Sequence, residues 1–131
     1  MSKIVFTNGC FDILHVGHIR LLDFAKSLGT KLIVGLNSDK SIKKLKGFSR
    51  PINCEQDRKE ILLSNKNVDN VIIFDEDTPL ELIKNIKPDI IVKGGDYKET
   101  EVVGYGLSKI IIFDYLNGYS TTKIIKSISD R

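Results

Sequence analysis

The chain has 131 residues, 41% hydrophobic and 28% charged, with a net charge of +3 and two cysteines. That is the size and mix of one globular domain with a proper core; no apolar run approaches the roughly 20 residues of a membrane-spanning helix, and the N-terminus lacks a signal-peptide stretch. So small a charge gives no argument for nucleic acid, and two cysteines without framework spacing fit free thiols, so a cytoplasmic protein needing neither membrane nor nucleic acid is expected.

Short, nearly continuous apolar runs alternate with helical patterns. Residues 4–6 read as the first strand, and the stripe Ile19, Leu21, Leu22, Phe24, Ala25 and Leu28 as a helix ending at a C′ glycine, Gly29. A strand over 32–36 and a helix over 38–45 follow. The next helix is expected over 54–64, with Asn53 as N-cap and Gln56 three residues on. After a strand at 71–74, Thr78-Pro79-Leu80-Glu81 has the form of a helix start with proline at the first turn. That helix carries Leu82, Ile83 and Ile86 and stops before Pro88. Strands at 90–92 and 110–113 precede a last helix beginning near Ser120-Thr121-Thr122 and carrying Ile124, Ile125 and Ile128. No linker or internal repeat interrupts the pattern, so residues 1–131 read as one domain. The expected fold is α/β, Rossmann-like and doubly wound, with a mostly parallel five-stranded sheet and helices on both faces.

The tract Thr7-Asn8-Gly9-Cys10-Phe11-Asp12-Ile13-Leu14-His15-Val16-Gly17-His18 joins the first strand to the first helix, and it holds both histidines of the chain. A helix N-terminus offers unpaired N–H groups and a positive dipole end, glycine admits close approach, and each imidazole can donate to a phosphoryl oxygen. A metal site would need further ligands, and Cys10 and Cys54 form no CxxC or HExxH pattern. Phosphate handling is the reading that fits. Other polar groups fall where strands end: Asn37-Ser38-Asp39, Lys93-Gly94-Gly95-Asp96-Tyr97 and Tyr119-Ser120-Thr121-Thr122. In open α/β sheets these loops converge on one edge, where ligands bind. Arg50 and Arg58 read as surface arginines, and the cysteines as bystanders. Lys40, Lys43, Lys44 and Lys46 read as a solvated helix face that can also clamp anions.

His15-Val16-Gly17-His18 resembles the HxGH signature of the cytidylyltransferase-like nucleotidyltransferases, and Tyr119-Ser120-Thr121-Thr122 resembles their second signature, some 100 residues later. Leu45-Lys46-Gly47, Arg50-Pro51-Ile52-Asn53, Asp75-Glu76-Asp77-Thr78-Pro79 and Lys93-Gly94-Gly95-Asp96-Tyr97 look like one subgroup, the D-glycero-β-D-manno-heptose 1-phosphate adenylyltransferases of lipopolysaccharide precursor synthesis. The resemblance covers essentially the whole chain.

It implies transfer of a nucleoside monophosphate from a nucleoside triphosphate, ATP before CTP, to a sugar phosphate, with release of pyrophosphate. It also implies Mg²⁺ carried mainly by the phosphates rather than by protein ligands. By the same resemblance His15, His18 and Lys46 are catalytic. Asn8, Gly9, Cys10, Phe11, Gly17, Lys93, Gly94, Tyr119, Ser120 and Thr121 bind nucleotide, while Asp12, Arg58, Asp96 and Tyr97 meet the acceptor. Relatives are often fused behind a sugar kinase, so a separate kinase is expected here, and a homodimer is plausible. The chain departs from the subgroup between Gly104 and Ile110, where only Tyr105-Gly106-Leu107-Ser108-Lys109 intervene and a longer segment is expected. That stretch is expected beside the Lys93–Tyr97 loop, where it bears on the acceptor. Glycerol-3-phosphate cytidylyltransferase and a non-catalytic nucleotide-binding module are the alternatives.

Overall fold

The computed structural model describes residues 2–114 and 121–129, the side chains of 121–123 aside. Among the described residues five strands, β1 (Ile4–Gly9), β2 (Lys31–Asn37), β3 (Asn70–Phe74), β4 (Ile90–Gly94) and β5 (Lys109–Phe113), form one sheet in the order β3-β2-β1-β4-β5. Every pairing is parallel, as expected for strands apolar on both faces. Alternation sorts their side chains. Val5, Leu32, Val34, Leu36, Ile90 and Val92 join one core cluster, and Phe6, Ile33, Ile91 and Ile110 join the other. The first cluster is closed by Leu21, Leu22 and Ala25 of α1 (Val16–Ser27) and Leu62 of α3 (Glu55–Leu63). Ile83 of α4 (Leu80–Ile86) covers the second. Further α-helices among the described residues are α2 (Asp39–Lys46) and α5 (Thr121–Ser129), and Glu99–Glu101 forms a short 3-10 turn. Among the described residues no helix is long and apolar enough to cross a membrane.

Gly29 stands at C′ of α1 as expected, but its reason differs, and two expected helix starts change for physical reasons. Gly29 is not a left-handed cap; a Cβ there would lie 2.6 Å from the Lys3 carbonyl oxygen, so glycine is needed for close chain approach. Asn53 does not cap α3, whose N-cap is Cys54 without a side-chain bond. The Asn53 amide instead donates to the Asp12 carbonyl at 2.9 Å. At α4 the cap position falls on Pro79, one residue later than the sequence suggests.

The ladders also explain why the sheet opens in the middle. β1 pairs with β2 through Gly9↔Leu36, but with β4 only at Val5↔Ile90 and Phe6↔Ile91. Beyond Phe6 the two strands part, with the Thr7 hydroxyl donating to the Val92 carbonyl at 2.8 Å across the gap. The strand order reverses at this place, so a crevice lies at the carboxyl ends of β1 and β4.

Candidate active site

A cavity of about 220 Å³ occupies that crevice, lined by Asn8, Gly9, Cys10 and Phe11 from the end of β1, His18 and Leu21 from α1, and Lys93, Gly94 and Tyr97 from the end of β4. A smaller one of about 120 Å³ adjoins it, sharing Asn8, Lys93 and Tyr97 and adding Pro79, Glu101, Val102 and Val103. The two form a bipartite cleft with Lys93 and Tyr97 at the junction.

His15 is the N-cap of α1, and its Nδ1 accepts the Gly17 N–H at 3.1 Å. The Gly17 amide is therefore spent on the cap, a correction to its expected phosphate role. Burial holds His15 below the usual imidazole pKa, so the ring is neutral at pH 7. With Nδ1 accepting, its proton resides on Nε2, which becomes a donor. The His18 ring stacks on it, 3.8 Å between centroids and 23° between planes, with Phe11 at 5.0 Å on the His18 ring. Burial, then repulsion from His15 and Lys46, pushes His18 down to about 4. Its buried Nδ1 has no hydrogen-bond partner among the described residues.

Lys46, the last residue of α2, is exposed, yet its charge reaches both His18 and Cys10. Burial pushes the Cys10 thiol up against the pull of Lys46, Arg58 and Arg50, which keeps it protonated and fits a bystander. Lys93 is half-buried; burial lowers its pKa, and its ammonium lies 4.9 Å from the Tyr97 ring centre.

The two arginines are not surface residues. Arg58 is 1% and Arg50 7% exposed. Arg58 Nη1 donates to the carbonyls of Cys10 (2.8 Å) and Asn37 (2.7 Å), Nε to that of Asn53 (2.9 Å), and Nη2 to the Asp39 carboxylate (2.8 Å). Arg50 Nε donates to Asp12 at 2.9 Å, and the Ile52 and Asn53 amides donate to the same carboxylate. Burial opposes ionisation of Asp12, but those amides and Arg50 hold its carboxyl below the usual range. Both expected acceptor contacts, Asp12 and Arg58, are thus occupied by the protein itself, and they bind the histidine tract to the 50–58 segment. The signal was present as two arginines flanking a Pro-Ile-Asn turn, but their partners lie 38 and 48 residues away.

Asp96 is exposed and lines neither cavity, whereas its neighbour Tyr97 lines both. Tyr119 and Ser120 lie outside the described residues; Thr121 opens α5, with its side chain also outside them. The short 105–109 stretch is at the far end of the sheet from the cleft, another correction. Ser108 Oγ donates to the Pro88 carbonyl and the Lys109 amide to that of Asp89, both at the amino end of β4. A parallel crossover must descend the whole sheet, so its last residues are remote from its first.

The chain matches the cytidylyltransferase-like family over residues 6–127. It belongs to that family. Among its curated relatives, this cytidylyltransferase-like chain is 61% identical over 131 residues to the bifunctional protein HldE of Campylobacter jejuni subsp. doylei, covering 99% of this chain and 28% of that protein. It is 58% identical over 128 residues to that of Helicobacter hepaticus, covering 97% of this chain and 27% of the relative. The chain therefore spans under a third of the length of these relatives. Among solved structures, the lipopolysaccharide core biosynthesis protein of Thermoplasma volcanium superposes with a TM-score of 0.75 at 31% identity, over 89% of this chain and 100% of that one. A bifunctional NMN adenylyltransferase/ADP ribose pyrophosphatase from Francisella tularensis shares the fold, with a TM-score of 0.68 at 19% identity over 99% of this chain and 42% of that one.

Proposed function

We propose that this cytidylyltransferase-like chain transfers AMP from ATP to D-glycero-β-D-manno-heptose 1-phosphate, releasing pyrophosphate, as a cytoplasmic step of lipopolysaccharide precursor synthesis. The observation that carries the reaction is the stacked, neutral His15–His18 pair at the N-terminus of α1, beside the cleft where β1 and β4 part. The choice of heptose rests on the high identity to the HldE proteins and on the lipopolysaccharide core biosynthesis protein among the solved relatives.

An acceptor phosphate is already anionic at neutral pH and attacks the α-phosphorus without a general base. What the protein supplies is alignment and charge stabilisation. His15 Nε2–H and the His18 imidazole donate to triphosphate oxygens that gain charge in the transition state. Asn8, Gly9, Cys10, Phe11 and Gly94 shape the nucleotide cavity, and Lys46 approaches from the end of α2. The resemblance of Tyr119, Ser120 and Thr121 to the family's second signature gives them a nucleotide-binding role in this proposal. Lys93, at the junction of the two cavities, meets the phosphate shared by donor and acceptor; the smaller cavity, with Tyr97 and Glu101, takes the sugar. Among the described residues no three His, Cys, Asp or Glu side chains converge, and Asp12 is engaged by Arg50 and two amides. A protein cage for Mg²⁺ does not fit these side chains, so the ion enters on the triphosphate.

The test is pyrophosphate release from each of four nucleoside triphosphates with Mg²⁺, crossed against heptose 1-phosphate and glycerol 3-phosphate. Release with ATP and the heptose alone supports the proposal. Release with CTP and glycerol 3-phosphate keeps the reaction and replaces the substrates. Nucleotide binding without release across the grid points to a binding module.

A further inference from the structure

We propose that Arg58 is a positioning residue that holds the Phe11 N–H toward the cleft as a donor to phosphoryl oxygens. This rests on the reading of the cleft as a triphosphate site. Arg58 is buried and lines neither cavity itself; four of its five N–H donors are committed to protein oxygens. Nη1 alone bridges the carbonyls of Cys10 and Asn37, at the carboxyl ends of the adjacent strands β1 and β2. In a trans peptide the C=O and N–H point in opposite directions. With the Cys10 carbonyl turned to Arg58, the amide it shares with Phe11 sends its N–H the other way. Gly9, Cys10 and Phe11 form the cleft wall there.

Two further observations agree. No acceptor among the described residues takes the Phe11 N–H, although Phe11 is 5% exposed. Its φ is 45°, a left-handed conformation that a bulky residue keeps only where its surroundings impose it. Arg58 on the Cys10 carbonyl and Asn53 on the Asp12 carbonyl supply that constraint from both sides. The cation on the carbonyl also polarises the peptide, which strengthens its N–H as a donor. A lysine at 58 keeps the charge but cannot span four acceptors with a planar fork.

The experiment follows the Phe11 amide in ¹⁵N-Phe-labelled protein while Mg²⁺ and inorganic pyrophosphate are added, alongside steady-state kinetics of Arg58→Lys and Asp39→Asn. In the wild type the Phe11 resonance is expected to move downfield. In Arg58→Lys it is expected not to respond, with kcat down about 10²-fold and a much smaller change in the KM for the acceptor. Asp39→Asn leaves the three carbonyl bonds in place, so the response persists and kcat falls less than about tenfold. A wild-type Phe11 amide that stays still while other cleft resonances move overturns the proposal without any variant. So does an Arg58→Lys protein that keeps the response, or equal losses of kcat in the two variants tracking their thermal midpoints. If the wild type releases no pyrophosphate from any nucleotide, the functional reading fails. The Phe11 shift and exchange rate of ligand-free wild type and Arg58→Lys still decide whether Arg58 orients the amide.

Discussion

The imidazoles of His15 and His18 stack 3.8 Å apart, and they can do so because neither carries a proton charge at neutral pH. Two imidazolium rings at that distance would repel strongly in a half-buried site. The stack keeps two competing cations out of the site, and the buried His18 Nδ1 has no hydrogen-bond partner among the described residues.

These are the only two histidines of the chain, so their titration is directly readable by NMR. In the free protein His18 is expected to titrate near 4. Because this lies below the unfolded value, the native state binds fewer protons between about pH 6.5 and 4. Stability is then complete above about 6.5 and falls by about 1–3 kcal/mol as pH drops to 4, levelling below that. A triphosphate adds negative charge beside the rings, so its binding is expected to raise both midpoints. An unligated His18 midpoint above 6 would remove this account.

At His15 the observed cap of α1 and the proposed phosphate donor can be separated by substitution. His15→Asn keeps a good N-cap acceptor for α1 but loses the Nε2–H, so kcat is expected to fall about 10²–10³-fold at nearly unchanged stability. His15→Ala loses both and should unfold about 0.5–2 kcal/mol more easily. Parallel kinetics and urea melts on the two variants make the comparison; equal stabilities would deny the cap its role.

Asp12→Asn tests the clamp between the histidine tract and the 50–58 segment. It leaves Arg50, 7% exposed, without its carboxylate, and a loss of about 3–5 kcal/mol is expected in denaturant unfolding. The wild-type Asp12 carboxyl titrates below its ordinary value, so its contribution is present above about pH 4 and is lost as pH falls through the native pKa.

Lys93 joins the two cavities and has no carboxylate partner among the described residues. Lys93→Met keeps an unbranched apolar side chain and removes the charge that stands over the Tyr97 ring. A fall in kcat/KM of about tenfold or more is expected, with thermal stability unchanged or raised. Unaltered turnover would place the transferred phosphoryl group elsewhere.

Gly104 tests the packing behind the smaller cavity, next to Val103 and away from the histidine pair. Its φ is 101°, and an added Cβ would stand 2.3 Å from Ile91 Cδ1. Gly104→Ala should cost about 1–3 kcal/mol of stability while sparing the KM for nucleotide.

Much of this protein was legible in the sequence, because the informative signals are local. The apolar runs at 4–6, 32–36, 71–74, 90–92 and 110–113 all became strands of one parallel sheet, and the histidine tract emerged at the carboxyl end of the first. A strand's alternation, a helix stripe and a glycine before a helix are decided within a few residues. What lay beyond reach depends on pairs distant in the chain. Arg58 looks like any charged helix residue until the Cys10 and Asn37 carbonyls, 48 and 21 residues away, turn toward it. Asp12 looks like a ligand contact until Arg50 and two amides enclose it. The cleft itself arises because β1 leaves β4 after Phe6 while staying with β2 through Gly9. Only the assembled sheet decides such things, since a buried charge or a parted strand pair takes its meaning from the groups packed against it.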